Sequence, residues 1–360
     1  MKSYNIKVYD KTGTYITTIS EKKILSKIVF RSTMNSGQGK LSISLKNDFD
    51  EPPTWADFNN FVKVFVVKVE SGVQTEQLLF TGFISQIRHL KKGSNESLTL
   101  DVLSLGSLLG LALFKNGALF DVLVSSVDPS AIATSIIAQI NTAVSGGWLS
   151  TGSNIDTVGT NVTYTFEKMN WLNAMKKTLE FAGGNFYWFI GADGELYFKE
   201  LPATATHKFN ILKNVNEISV VNSSERIVNE STLDNGTAYD ATDATSVTAY
   251  WKRDQWKSDA EMDANASQQF VDGAVADGKD PRIQVKAEIN ETYDIESIKP
   301  GDTCKFFGTK IGSTTLGTNM LIVAVAYNET EVELTLAEEF TNFGSELSSY
   351  LENQLLARNL

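Results

Sequence analysis

The sequence predicts an α+β chain that is mainly β, in which two β-rich regions flank an α+β region built on a helix and a hairpin. Three observations predict it. Alternating apolar and polar residues fill the first hundred positions and return after Pro202. Between them, two segments carry apolar residues at helical spacing. The second runs into EFAGGNFYWFIGADGELYFKE, Glu180 to Glu200, where aromatic residues crowd both sides of Asp193-Gly194.

In order along the chain, SYNIKVYD alternates and Lys11-Thr12-Gly13 turns it into TYITTIS. ILSKIVFRS is a further strand, Asn35 to Gly39 a loop, and KLSISLKN a strand with Leu41, Ile43 and Leu45 on one face. The polar insert DFDEPPTWADFNN follows, its Pro52-Pro53 pair breaking helix and sheet alike. FVKVFVVKVE, a long loop, QLLFTGFISQIRHL, a turn at Lys92-Gly93-Ser94 and SLTLDVLSL complete six or seven strands, the pattern of a barrel or sandwich. Near Gly106 the character changes. DPSAIATSIIAQINTAV reads as a helix with Asp128 as N-cap, Pro129 at its first position, and Ile132, Ile136 and Ile140 on one face. Gly146-Gly147 ends it, and Ser150 to Asn161 is a polar, exposed loop.

A second helix follows in EKMNWLNAMKKTLEFAGG, capped at Asn170 or an earlier residue. Trp171 or Leu172, Met175 and Leu179 form its stripe, and Gly183-Gly184 stops it. NFYWFI and ELYFKE then form a hairpin about Gly191 to Gly194. Phe186, Trp188 and Ile190 share one face of the first strand and Tyr187 and Phe189 the other; Leu196 and Phe198 oppose Tyr197. Both faces are apolar. That fits a hairpin covered on one face by its own helix and on the other by a neighbouring domain or subunit; an exposed sugar-binding platform is the alternative. After Pro202, HKFNILKNVNEISVVNSSERIVNEST reads as two strands, VTAYWKRDQWK as another, Ala260 to about Ala276 as a helix, and RIQVKAEINET as a strand. IKPGDTCKFFG is a turn and strand, and MLIVAVAYNETEVELTLAEE a hairpin. The end of the chain carries Phe340, Phe343, Leu347, Leu351 and Leu355 at helical spacing, an amphipathic helix that needs a partner.

A chain of 360 residues with 42% hydrophobic content can bury sizeable cores in two or three domains. Asp and Glu outnumber Lys and Arg by 43 to 32; the resulting charge of −11 argues against a protein held to nucleic acid by phosphate contacts. Cys304 is the only cysteine, so no disulfide forms within the chain, and it reads as a small buried apolar residue. The N-terminus does not read as a signal peptide and no unbroken apolar run reaches membrane-spanning length, which suits a cytosolic product or a component of an assembled particle.

Catalytic sets are absent from the sequence. Phosphate-binding glycine loops, GxSxG and HExxH do not occur. His89 and His207 lie far apart with no zinc-ligand spacing. Asp240 and Asp243, and Asp48, Asp50 and Glu51, could pair carboxylates for hydrolysis or hold a calcium ion; as loop residues they read better as solvated surface. No catalytic, cofactor-binding or metal residue is assigned.

The order of features is more specific than any one of them. Asp10 to Gly13 forms a DxxG turn; Gly37 and Gly39 lead to LSISL; LFTGFIS spans Leu79 to Ser85; a helix, a Gly-Gly stop and an aromatic hairpin close with ELYFKELP; IKPGDTCKF spans Ile298 to Phe306; and a strand ending in Tyr327 precedes ELTLAEE. In this order over roughly residues 1 to 340, the chain resembles the tail hub family of tailed phages. That family includes baseplate hubs, the N-terminal hub portion of tail-tip (tail-associated) proteins, and hub modules of contractile injection systems. The resemblance implies two tail-tube-like β-barrel domains, residues 1–105 and 206–340, the latter with an inserted helical segment. They would flank an α+β domain at 106–205, with the amphipathic helix at 341–360. It implies no enzyme and no cofactor, but a homotrimer whose six barrels close the tail tube and adapt sixfold to threefold symmetry around a DNA channel. Its implied partners are a distal tail or tail tube ring, a tape measure protein and a downstream tip or fibre protein, with no sequence-specific nucleic-acid binding and no membrane span. Its place would be the virion tail tip or baseplate, after assembly in the host cytoplasm. Trp171, Phe186, Tyr187, Trp188, Phe189, Tyr197 and Phe198 would then pack between domains or subunits, and Phe343, Leu347 and Leu351 would dock a neighbour. If Leu360 ends the native chain, another protein forms the tip. A carbohydrate-binding adhesin and, behind it, a cell-wall hydrolase are the competing readings.

Overall fold

The computed structural model describes residues 2–37, 39–46, 53–70, 73–92, 95–117, 119–144, 146–183, 185–223, 227–260, 262–279, 282–307 and 319–337. The alternating runs of the first region become β1 (Lys2–Tyr9), β2 (Tyr15–Ser20), β3 (Val29–Thr33), β4 (Lys40–Lys46), β5 (Phe61–Glu70), β6 (Val73–Lys92) and β7 (Asn95–Ser104). Asp10 shapes the first turn: its Oδ1 accepts the backbone N–H groups of Thr12 and Thr14 at 2.8 and 2.9 Å. The strands pair in the order β2-β1-β5-β6-β7-β4-β3. The long loop expected before QLLF is instead strand, because β5 and β6 pair as far as Glu70 and Val73. Ile24, beyond β2, bridges Leu45, and the Leu25 N–H donates to the Ser44 carbonyl at 2.7 Å, so the chain leaving β2 returns beside β4.

The middle region contains β8 (Asp121–Val127), α1 (Pro129–Ala143), β9 (Val162–Glu167), α2 (Trp171–Ala182), β10 (Phe186–Ile190) and β11 (Leu196–Glu200). Asp128 caps α1 through the Ser130 N–H at 2.9 Å, and Ile132, Ile136 and Ile140 are buried on its inner face. Asn170 caps α2 through the Asn173 N–H at 2.7 Å. The antiparallel β8–β9 pair was not expected, since two short strands about 40 residues apart carry little signal separately.

The last region contributes β12 (His207–Asn210), β13 (Val215–Ser223), β14 (Glu230–Asp234), β15 (Ala238–Thr242), α3 (Ala244–Tyr250), β16 (Asp254–Ser258), α4 (Ala264–Gly278), β17 (Arg282–Asn290), β18 (Thr303–Phe307), β19 (Met320–Asn328) and β20 (Glu331–Ala337). The strand expected over VTAYWKRDQWK is split: its first four residues belong to α3, which starts where the Asp243 side chain accepts the Ser246 N–H, and its last four enter β16. β14, β15 and β16 form a separate three-stranded sheet backed by α4.

The α+β, mainly β expectation is borne out. Apart from the separate β8–β9 and β10–β11 pairs, the remaining strands form one large sheet, since β19 pairs antiparallel with β3 from Ala324–Thr33 to Asn328–Val29. Its path runs from β13 to β2 without closing on itself among the described residues. One hydrophobic core serves both ends: Ile6, Val64 and Leu100 from the first region join Phe209, Val285 and Leu334 from the last. Each such buried side chain contributes roughly 1.5–3 kcal/mol by leaving water. Cys304 lies in this core, fully buried, and burial pushes its thiol up, away from thiolate chemistry. Among the described residues no helix is long and apolar enough to cross a membrane.

Candidate functional site

The aromatic hairpin is positioned by the helix before it. α2 ends at Gly183, whose positive φ of 79° with an extended ψ is a conformation open to glycine and turns the chain towards β10. β10 and β11 pair antiparallel from Phe186–Glu200 to Ile190–Leu196. Gly194, at φ 87°, makes the turn where a Cβ would collide with the Trp148 carbonyl.

The two hairpin faces enter different apolar clusters. Phe186, Trp188, Leu196 and Phe198 pack with Trp171, Met175, Leu179 and the inner face of α1. Tyr187 and Phe189 pack with Met34, Leu321, Val323 and Ala324, with Tyr197 against them. Thus α1 and α2 cover one face, while β19 and the end of β3 cover the other, all within one chain. The Phe189 and Tyr197 rings stack at 4.5 Å, and Phe186 meets Phe198 at 5.7 Å. Trp188 is fully buried. Trp171 is buried too, and its Nε1 donates to Gln139 Oε1 at 3.3 Å. No sugar platform is presented at these residues. Phe343, Leu347 and Leu351 lie outside the described residues, as do Asp48, Asp50 and Glu51.

Several residues that sequence reasoning did not single out hold the hairpin in place. Asn35, at φ 58°, reads the hairpin backbone: its Oδ1 accepts the Trp188 N–H at 2.8 Å and its own N–H donates to the Trp188 carbonyl at 2.7 Å. Gly301, at φ 87°, lies beneath the Tyr187 ring, where a Cβ would fall within 2.6 Å of Cζ. Trp148 stacks on Phe61 at 3.8 Å and donates from Nε1 to the Lys11 carbonyl at 3.2 Å, joining the middle region to the first. A cleft of about 210 Å³ opens beside the turn, lined among others by Phe30, Phe189, Gly191, Glu296, Pro300 and Tyr327.

The charge in that cleft is structural in its geometry. The Glu296 carboxylate is buried and lies 2.9 Å from both Lys2 Nζ and Lys68 Nζ, while Lys68 also meets Asp294 at 2.7 Å. Burial pushes Glu296 up, but the neighbouring Lys68 and Lys2 ammonium groups outweigh it and hold the group below the usual carboxylate value. The Tyr327 hydroxyl reaches Glu296 Oε1 at 3.2 Å and Tyr4 Oη at 3.0 Å. Burial raises Tyr4 to about 12, so both phenols stay neutral. Lys2, Tyr4 and Lys68 come from the first region and Glu296 and Tyr327 from the last, so this network fastens the two ends of the chain.

The proposed carboxylate pair does not form a site. Asp243 caps α3, and Asp240 stands exposed on β15. His207 is buried between the Tyr293 hydroxyl and the Asp302 carboxylate, each at 3.0 Å. Among the described residues no three His, Cys, Asp or Glu side chains gather as metal ligands.

The arrangement is therefore one of packing and fastening, and the fold has clear counterparts among solved structures. A tail protein from Neisseria meningitidis is similar over 93% of this chain and 97% of its own, with a TM-score of 0.65 at 12% identity. The 43 kDa tail protein of prophage MuSo2 from Shewanella oneidensis is similar over 93% and 98%, with a TM-score of 0.67 at 10% identity. The prophage tail protein gp18 from Listeria monocytogenes is similar over 93% and 94%, with a TM-score of 0.60 at 14% identity. No family model matches the chain, and no curated protein sequence does. At these identities the likeness is one of fold: the chain has the fold of phage tail proteins, and the resemblance read from its sequence is borne out at that level.

Proposed function

We propose that this chain is a structural, non-enzymatic hub protein of a phage tail tip or baseplate. One observation carries the reading: the fold likeness to phage tail proteins runs over nearly the whole of this chain and nearly the whole of theirs. In this reading residues 1–105 and 206–340 are tube-like barrel domains, 106–205 the α+β domain between them, and 341–360 a docking helix. The return of the chain beyond β2 to the edge of β4 supports a barrel-like first unit. Three copies would place six such units in a ring, matching a sixfold tube to a threefold tip around a channel for DNA. The negative charge of the chain suits a channel wall that does not hold DNA back. Its partners would be a distal tail or tube ring, a tape measure protein and a tip or fibre protein, in a virion assembled in the host cytoplasm.

The fastened arrangement supports the reading. A hub bears load between rings, and this chain ties its ends together by a shared sheet, a shared core and a buried ion network. Light scattering after size exclusion, over a concentration series, tests it. A mass near three times 39.6 kDa is expected. A monomer at every concentration, both alone and with purified tail tubes, would sink the trimeric hub.

A further inference from the structure

The three-stranded sheet β15-β14-β16 has two unlike faces. The inner face is buried: Ser231 and Leu233 of β14 are fully buried, and α4 packs against β14 and β15. The outer face carries the alternate residues. On β14 these are Glu230, Thr232 and Asp234; on β15, Ala238, Asp240 and Thr242; on β16, Asp254, Trp256 and Ser258. The register sets Thr232 beside both Asp240 and Trp256, and Glu230 beside Asp254. Trp256 is 69% exposed, on an edge strand with no ring partner among the described residues.

Around the indole, four carboxylates share this face: Glu230, Asp234, Asp240 and Asp254. Among the described residues only Glu230 is paired with a cation, Lys252 at 2.8 Å, and Asp240 and Asp254 have no ion pair. The wider segment continues the bias. Residues 227–279 hold ten Asp and Glu against four Lys and Arg, so a net charge of −6 sits in a small part of a chain whose total is −11. An exposed π face and surrounding carboxylates attract the same thing, a cation.

We infer that the outer face of this sheet is a docking surface for a lysine- or arginine-bearing segment of a partner protein, with a cationic side chain on the Trp256 indole and neighbouring cations on Asp240 and Asp254. The inference does not depend on the hub reading.

The experiment is calorimetric titration of the full chain with acetylated hexalysine amide, with an uncharged Gly-Ser hexapeptide and chitohexaose in parallel, at low and at moderate salt. Because any acidic protein draws in polycations, the variants decide the matter. Trp256→Ala and Asp240→Asn/Asp254→Asn are compared with Asp121→Asn/Glu167→Gln, which removes the same charge from the exposed face of the β8–β9 pair. Hexalysine binding is expected to weaken about tenfold in each of the first two and to stay within about twofold of the parent in the third. All the changed residues except partly exposed Trp256 are charged surface groups, and thermal melts verify that every variant is folded. Equal hexalysine affinity in parent, Trp256→Ala and control would assign the binding to diffuse charge and overturn the proposal. So would no hexalysine binding, or Trp256-dependent binding of chitohexaose in its place.

Discussion

Gly301→Ala gives the most direct test of how the hairpin is held. Gly301 adopts φ 87°, and a Cβ there would lie 2.6 and 2.8 Å from Cζ and Cδ2 of Tyr187 and nearer still to Cε2. Two costs follow. Holding alanine in the left-handed region costs roughly 1–2 kcal/mol. Forcing the buried ring aside is an overpacking cost of roughly 1–3 kcal/mol. The Tyr187 ring cannot retreat freely, because Phe189 stacks alongside it and Met34 and Val323 lie in the same cluster. The sum is about 3 kcal/mol. With an unfolding entropy of about 0.75 kcal/mol/K for a chain of this length, the melting temperature should fall by about 4 °C. A double-mutant cycle with Tyr187→Ala separates the terms. In that background the steric part vanishes and the backbone part stays, so Gly301→Ala should cost only about 1–2 kcal/mol, giving a coupling of about 1–3 kcal/mol. The assay is urea unfolding followed by fluorescence, with circular dichroism as a second probe. Additivity within about 0.5 kcal/mol would refute the contact, and with it the packing of the second hairpin face on the segment before β18.

Other expectations follow from the same geometry. Glu296→Gln should destabilise the chain by about 1–3 kcal/mol near neutral pH, less than a fully buried broken pair costs, because Lys2 and Lys68 keep side-chain exposures of 27% and 18%. Since the folded-state Glu296 is held below its unfolded value of 4.5, its contribution is full above that value and is lost as the pH falls through the lower folded one. The gap between parent and variant in urea midpoint should therefore close on acidification from about pH 5 downward; a gap that widens there would contradict the ion network. Asn35→Ala should cost about 2–3 kcal/mol, because it orphans the buried Trp188 N–H and sets alanine at positive φ. Asn35→Gly keeps the first cost and removes the second, so its urea midpoint should lie between those of parent and Asn35→Ala; the reverse ranking would show that φ does not matter there. Trp188→Ala empties a fully buried site and should cost about 3–5 kcal/mol by the same unfolding assay, whereas Trp256→Ala should change stability by less than about 0.5 kcal/mol.

What the sequence made legible was local. The hairpin could be read because its aromatics alternate, its turn carries Asp193-Gly194 and its helix ends in a glycine at positive φ. Asp128 and Asn170 announced their helices through side chains that cap them. What failed was whatever depends on distant partners. Glu296 in DIESIKPG looks like any surface carboxylate, since Lys2 and Lys68 lie more than 220 residues away along the chain. Asn35 looked like a loop residue because nothing local shows that it bonds the backbone at Trp188. α3 was misread as strand because Val247 and Tyr250 favour sheets, whereas the Asp243 cap decided the local structure. Gly301 was visible as part of IKPGDTCKF, but its reason, the ring of a tyrosine more than a hundred residues earlier, was not.

The order of the sheet explains why the hairpin needs two apolar faces. β3 and β19 come from opposite ends of the chain and pair side by side. At the end of that pairing, Met34 donates from its N–H to the Val323 carbonyl, and Asn35 takes up the hairpin backbone. The hairpin thus lies over the seam where the first and last regions meet, with α1 and α2 on its far side. Loosening it exposes apolar surface of the seam and of the helices together, so displacement in either direction costs burial on both faces. A hairpin with one polar face could cap the helical layer but could not also seal the seam. The density of aromatic residues between Glu180 and Glu200 is therefore a requirement of position: a short two-stranded element must cover two cores at once, and large flat side chains bury the most area per residue.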